Sequence, residues 1–198
     1  RCVRSSPNAG TRALARAAAL AADGASCAAL HRERAALLEA SSATRGHALA
    51  AFEAARAKDP SHPDVLAGLD RLYTEAARLR ELIGVLEARM LRARGAVRGE
   101  LRLRAATCAE ALGEVTVAAE LWRGAVADLA GAPERRAAIL PRAVDAQRRA
   151  HCVDTFVELA EEELRVATGD RRMALRRDLA RTLRDALGQP GRALVHLR

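Results

Sequence analysis

The sequence predicts an all-α protein, an α-solenoid (superhelix) of antiparallel helix hairpins with about five repeats and a partial N-terminal one. Three observations lead there. Half of the 198 residues are hydrophobic but only 2% are aromatic (Phe52, Tyr73, Trp122, Phe156), while Ala, Leu and Arg abound. Alanine and leucine favour helix, and alanine lets neighbouring backbones approach closely. Helical spacing of apolar residues dominates, and no stretch sustains the alternation a strand needs. Finally, turn-type residues recur at a near-constant interval.

The elements follow from the breaks. These fall near Asn8-Ala9-Gly10, Asp23-Gly24, Ser41-Ser42, Asp59-Pro60, Arg94-Gly95, Gly113, Gly131-Ala132-Pro133, His151, Thr168-Gly169-Asp170 and Gly188-Gln189-Pro190. The segments between them run to roughly 12 to 20 residues, ordinary lengths for globular helices joined by short loops. Thr11, Ser61 and Asp170 are the expected N-caps. Pro133 suits a first turn, where its missing N–H is no loss. Pro141 lies inside the segment 133–150, so that helix is expected to be bent or to be two shorter ones.

The stretch "ALAAFEAARAKDPSHPDVLAGLDRLY" (48–73) shows the pattern most clearly. An alanine-rich helix packs Phe52 against its partner and stops at Asp59-Pro60. The next helix starts at Pro63, whose fixed φ suits a first turn. Anchored on their turn residues, successive copies give Ala43, Ala77, Gly113, His151 and Gly188, spaced 34, 36, 38 and 37 residues apart. A half-copy anchored at Ala9 lies 34 residues before Ala43. One hairpin cannot bury its apolar face alone, but a stack can.

This period and pattern resemble the tetratricopeptide repeat (TPR) family over nearly the whole chain. The first clear copy sets Ala43, Ala48, Phe52, Ala55 and Pro60 at the family's turn, small, large, small and closing positions; the third sets Gly113, Ala118, Trp122 and Ala125. The second keeps Tyr73 before its turn but continues with Leu82, Leu86 and Arg89, and the fourth, with Phe156, Ala160 and Glu163, departs further. The resemblance implies one array over 1–198, with repeats at 8–28 (partial), 29–62, 63–98, 99–136, 137–173 and 174–198 (partial). The start "RCVRSSPNAG" lacks Met and a hydrophobic signal core, so the chain is expected to be a segment of a longer, bacterial-type protein, with a cytoplasmic location favoured.

Net charge is +8, and with Lys58 the sole lysine the remaining 32 basic side chains are arginines. Such a balance suits nucleic acid, an anionic membrane surface or acidic proteins, and it is also what a GC-rich genome produces. Arg177, Arg181 and Arg184 fall on one helix face, with Arg172 and Arg176 beside them and Asp170, Asp178 and Asp185 interleaved. Cys27, Cys108 and Cys152 read as small buried hydrophobes, and with Cys2 they form no CxxC pair. No apolar run reaches the roughly 20 residues of a membrane helix.

Enzyme signatures are lacking. There is no phosphate-binding GxxxxGK[ST] loop and no HExxH. His31-Arg32-Glu33 matches half of a zinc-deaminase motif without its P-C-x-x-C. His151 and Cys152, adjacent in sequence, would not face each other on a helix. Glu161-Glu162-Glu163 reads as a solvated helix face paired with arginines such as Arg165. No catalysis, cofactor or metal is expected.

The resemblance implies that the first helix of each hairpin lines a concave groove. Its expected partner-binding positions are Glu33, Leu37, Arg71, Glu75, Leu103, Thr107, Glu110, Asp145, Arg148 and Arg149, with Ala67, Asp178 and Thr182 alongside. The family's carboxylate-clamp lysine positions carry Glu33, Ala67, Leu103, Pro141 and Asp178, so a clamp for a peptide C-terminus is not supported. The function expected is a non-catalytic scaffold binding a peptide or protein partner on that surface. The alternative is nucleic-acid binding through arginine-rich helix faces.

Overall fold

The computed structural model describes residues 9–21, 23–39 and 44–197. Among them, eleven α-helices follow one another and no strand occurs. The chain divides into two units, Arg1–Arg92 and Ala93–Arg198. The first holds α1 (Ala9–Leu20), α2 (Gly24–Glu39), α3 (Arg45–Lys58), α4 (Pro63–Glu75) and α5 (Leu79–Met90). The second holds α6 (Gly95–Ala111), α7 (Val115–Asp128), a 3₁₀ turn (Leu129–Gly131), α8 (Pro133–Arg149), α9 (Val153–Glu163), α10 (Gly169–Asp185) and α11 (Pro190–Leu197). Within each unit, every helix packs against the next in sequence.

Three hairpin turns are built alike. Ala77, Gly113 and His151 each take a left-handed backbone, with φ of 52°, 73° and 54°. The N–H of the left-handed residue donates to the carbonyl three back: Ala77 to Thr74, Gly113 to Glu110, His151 to Arg148. The following N–H donates to the carbonyl five back: Arg78 to Tyr73, Glu114 to Ala109, Cys152 to Gln147. This double bond satisfies two of the carbonyls that a helix end leaves open. Arg78, Glu114 and Cys152 then begin the next helix with φ/ψ of −81/72°, −81/70° and −81/79°. Gly188, with φ 62°, closes a fourth turn one residue longer, in which the Gln189 N–H reaches six residues back to Leu183. The anchors at 77, 113, 151 and 188 are therefore turn residues; Ala43, with Ser41-Ser42, lies outside the described residues, as does Cys2.

The small residues sit where helices cross. Ala48, Ala118 and Ala193 are all buried. In the first unit the tip of the Phe52 ring of α3 meets α4, so close that a Cβ added to Gly68 would stand 2.5 Å from the Phe52 Cζ. Only glycine admits the ring there. In the second unit Trp122 of α7 is buried, with the Arg142 guanidinium of α8 stacked 4.8 Å from its ring centroid.

Several local expectations change. Thr11 is buried within α1, and Asp170 is the second residue of α10, so neither caps a helix. His62, not Ser61, caps α4: its Nδ1 accepts from the Asp64 N–H at 3.3 Å, and Pro63 occupies the first helical position. Pro141 does not divide its segment in two, because α8 runs unbroken through it. Cys152 is only half-buried, because it begins α9 at a turn, while Cys27 and Cys108 are buried. The repeat starts written as 29, 99, 137 and 174 fall inside α2, α6, α8 and α10, while 63 coincides with the first residue of α4.

Candidate protein-interaction surface

In the first unit the expected residues lie on α2 and α4. Glu39 at the end of α2 accepts both Nε and Nη2 of Arg71 from α4, each at 2.6 Å. This fork-to-fork geometry fixes the orientation of the two side chains. Two helical turns away, Arg32 Nη1 lies 2.6 Å from His62 Nε2 and 3.9 Å from Asp64. Between these two clasps lies a groove of about 510 Å³, lined by Ala29, Glu33, Ala36, Phe52, Asp64 and Arg71. Glu33 and Arg71 thus meet across one space, and Phe52 forms part of its wall. Leu37 is 51% exposed on α2. Glu75 stands apart, paired with Arg45 at 3.3 Å beside a smaller cavity of about 180 Å³.

In the second unit Leu103, Thr107 and Glu110 lie on α6 and Asp145, Arg148 and Arg149 on α8. Leu103 is buried. Thr107 turns its hydroxyl back to the Leu103 carbonyl at 2.9 Å, within its own helix. Glu110 is clasped from α8 by Arg142 and Arg149, both at 2.6 Å. Asp145 is shared by Arg148 at 3.4 Å and by Arg171 of α10 at 3.2 Å, and Arg148 reaches Asp178 of α10 at 3.0 Å. Thr182 borders a cavity of about 230 Å³ with Gln147, Arg148, His151, Cys152 and Phe156.

Many of the arginines enter such pairs. Arg135 of α8 forks onto Glu100 of α6 at 2.7 and 2.9 Å, and that contact holds the Glu100 carboxyl below the usual range. Arg171 forks onto Glu163 at 2.7 and 2.8 Å, and its guanidinium is held more firmly protonated chiefly by that hydrogen bond. Glu163 is only 2% exposed. It is not a solvated residue, because the first turn of α10 brings Arg171 over the end of α9. Glu161 and Glu162 pair with Arg192 and Arg136, each at 2.8 Å, rather than with Arg165.

Sequence reasoning missed these ladders, although a signal for them exists. Glu39 and Arg71, Glu100 and Arg135, and Glu110 and Arg142 are 32, 35 and 32 residues apart, close to one repeat. An acid and an arginine one period apart on first helices stand side by side.

Among the described residues, no group of three or more His, Cys, Asp or Glu side chains is placed to hold a metal, and no helix is long and apolar enough to cross a membrane. His31 has burial, then Arg34 and Lys58, pushing its pKa down, which keeps its ring neutral.

No protein-family model matches the sequence, and no curated protein matches it. Solved structures do. A putative kinesin light chain of Podosopora anserina with nearly identical TPR-like repeats is 24% identical, with a TM-score of 0.45, covering 84% of this chain and 90% of that one. YrrB, a TPR protein with an unusual peptide-binding site, is 17% identical, with a TM-score of 0.47 and coverage of 97% and 90%. MamA is 14% identical, with a TM-score of 0.46 and coverage of 84% and 88%. The recurring left-handed turns and the pairing of consecutive helices carry the conclusion on fold. This is an all-α fold of repeating helix hairpins.

Proposed function

We propose that the protein is a non-catalytic scaffold that binds a peptide or protein segment on the first-helix face of its hairpins. The α2–α4 groove is the candidate seat in the first unit, through Glu33, Leu37 and Arg71, with Glu75 beyond it. In the second unit Thr107, Glu110, Asp145, Arg148 and Arg149 offer the corresponding face. The observation that carries this reading is the groove of about 510 Å³ between the Arg71–Glu39 and Arg32–His62 clasps. Ala29 and Ala36 leave it open, Phe52 supplies an apolar wall, and polar groups held in fixed positions can orient a ligand backbone.

The nucleic-acid alternative has less support. Arg71, Arg135, Arg142, Arg148, Arg149 and Arg171 are each held by a carboxylate, which withdraws them from phosphate, whereas Arg177 and Arg181 of the α10 face form no ion pair among the described residues. Phe52, Tyr73, Trp122 and Phe156 are all buried, so no aromatic platform for bases is exposed.

The test is a random-peptide phage selection on the intact protein, followed by fluorescence polarisation with the selected peptides. Ala36→Trp, at an exposed position on α2, fills the groove without entering the core. The proposal expects at least about tenfold weaker binding to that variant. A selection that yields no binder, or peptides that bind Ala36→Trp as well as the parent, overturns it.

A further inference from the structure

Five charged side chains line the α2–α4 groove, and four of them are already committed. Arg71 gives two of its nitrogens to the two oxygens of Glu39, each at 2.6 Å. Arg32 lies 2.6 Å from His62 Nε2 and 3.9 Å from Asp64. Glu33 is the fifth. It is exposed, and its carboxylate has no partner among the described residues.

The spacing on α2 sets that carboxylate in the middle of the groove. Ala29, Glu33 and Ala36 fall at i, i+4 and i+7, one stripe of the helix, and all three line the cavity. The alanines have nothing beyond Cβ, so apolar room flanks the charge on both sides, and Phe52 of α3 adds an aromatic edge. The clasps bound the groove at its two ends. Seven residues separate Arg32 from Glu39 on α2, and seven separate Asp64 from Arg71 on α4. The space between the clasps is therefore about 10 Å long. That length takes about three residues of extended chain.

The charge left over selects the ligand. An acidic segment would find both arginines taken and Glu33 facing it, whereas a cation finds one open partner. A lysine or arginine side chain also has the matching form, an apolar stem for Ala29 and Ala36 and a charged head for Glu33. The net charge of +8 does not oppose this, because at physiological ionic strength exposed charges more than about 8 Å away are largely screened. We infer that the groove seats an extended segment of a partner protein with a lysine or arginine at its centre, the cationic head on Glu33 in a charge-assisted hydrogen bond. This rests on the α2–α4 groove being a peptide seat, and adds to it the chemistry of the central residue.

The probes are peptides selected on the intact protein from a random heptapeptide library, each then remade with its basic residue replaced by norleucine or by glutamate. Fluorescence polarisation gives their affinities for the parent, Glu33→Gln, Glu33→Arg and Ala36→Trp proteins. Positions 33 and 36 are exposed, so the circular dichroism of the variants is expected to match the parent. The peptides that lose binding to Ala36→Trp are expected to carry a lysine or arginine. Norleucine in the peptide and Glu33→Gln in the protein are each expected to weaken binding at least about tenfold, and no further when combined. Glu33→Arg is expected to prefer the glutamate analogue. Peptides that are lost with Ala36→Trp but have no basic residue, or that bind Glu33→Gln as well as the parent, overturn the cation assignment and leave the groove as a peptide seat. A selection that yields no peptide, or only peptides indifferent to Ala36→Trp, overturns the seat itself and this inference with it.

Discussion

The Gln147 side chain of α8 donates through Nε2 to the Ala119 carbonyl of α7 at 2.7 Å, with both residues buried. One hairpin is thereby tied to the backbone of the one before it by a side chain that has no water to turn to. Arg102 does the same within a hairpin, donating to the Gly124 carbonyl at 2.9 Å, and Arg56 reaches the Gly84 carbonyl at 3.2 Å. Gln147→Met keeps the volume and loses the bond, so it is expected to lower stability by about 1 kcal/mol. Gln147→Ala also opens a cavity and is expected to cost about 2 kcal/mol or more. Urea or guanidinium melts followed by Trp122 fluorescence check both values.

Among the described residues, Glu163 and Arg171 form the most enclosed of the ion pairs between successive hairpins. Removing only Arg171 leaves a buried carboxylate unpartnered. Arg171→Met is therefore expected to cost about 3 kcal/mol or more. Adding Glu163→Leu removes the orphaned charge and is expected to restore most of the loss. A double-mutant cycle on denaturation midpoints measures the coupling. A double variant no more stable than Arg171→Met alone would show that the charge is not the cause.

Tyr73 is the only tyrosine. Its hydroxyl donates to Glu53 Oε1 at 2.9 Å. Burial, then the bond to Glu53 and its negative charge, push the phenol pKa up to about 12 against the effect of Arg78. The folded state therefore holds the phenolic proton more tightly than the unfolded chain, whose value is about 10. This stabilisation is complete below pH 10 and is lost as pH rises towards 12. A phenolate absorbance titration is expected to show a midpoint well above that of free tyrosine, moved down by Glu53→Gln. A midpoint near 10 while the helical circular dichroism is intact would contradict the enclosure of the ring.

The architecture was legible in the sequence because repeat spacing and small-residue placement act together. Ala48, Ala118 and Ala193 are buried as expected, and the anchors at 113, 151 and 188 fall on left-handed turn residues. Ala77 is instructive: nothing in "TEAARLRE" marks a break, and only the period placed a turn there. Caps were not legible. Arg78, Glu114 and Cys152 begin helices without any side-chain cap bond, so backbone conformation rather than residue type marks the start. Nor was Glu163, since three consecutive glutamates look solvated until Arg171 is brought over them from the next helix. Leu103 and Thr107 share the groove register with Glu110, yet one is enclosed and the other bonds its own helix; register gives a helix face, not what covers it.

The central claim is that Ala77, Gly113 and His151 occupy one and the same left-handed turn position in successive hairpins, and thermal or denaturant stability of single substitutions tests it most directly. Ala77 and His151 are exposed non-glycine residues with positive φ, a conformation costly for any side chain with a Cβ. Ala77→Gly and His151→Gly are expected to raise stability by about 0.5–1 kcal/mol, and Gly113→Ala to lower it by about 1 kcal/mol. If Ala77→Gly instead lowers stability by about 1 kcal/mol, as glycine does in an exposed helix interior, residue 77 continues a helix and the hairpin repeat is contradicted.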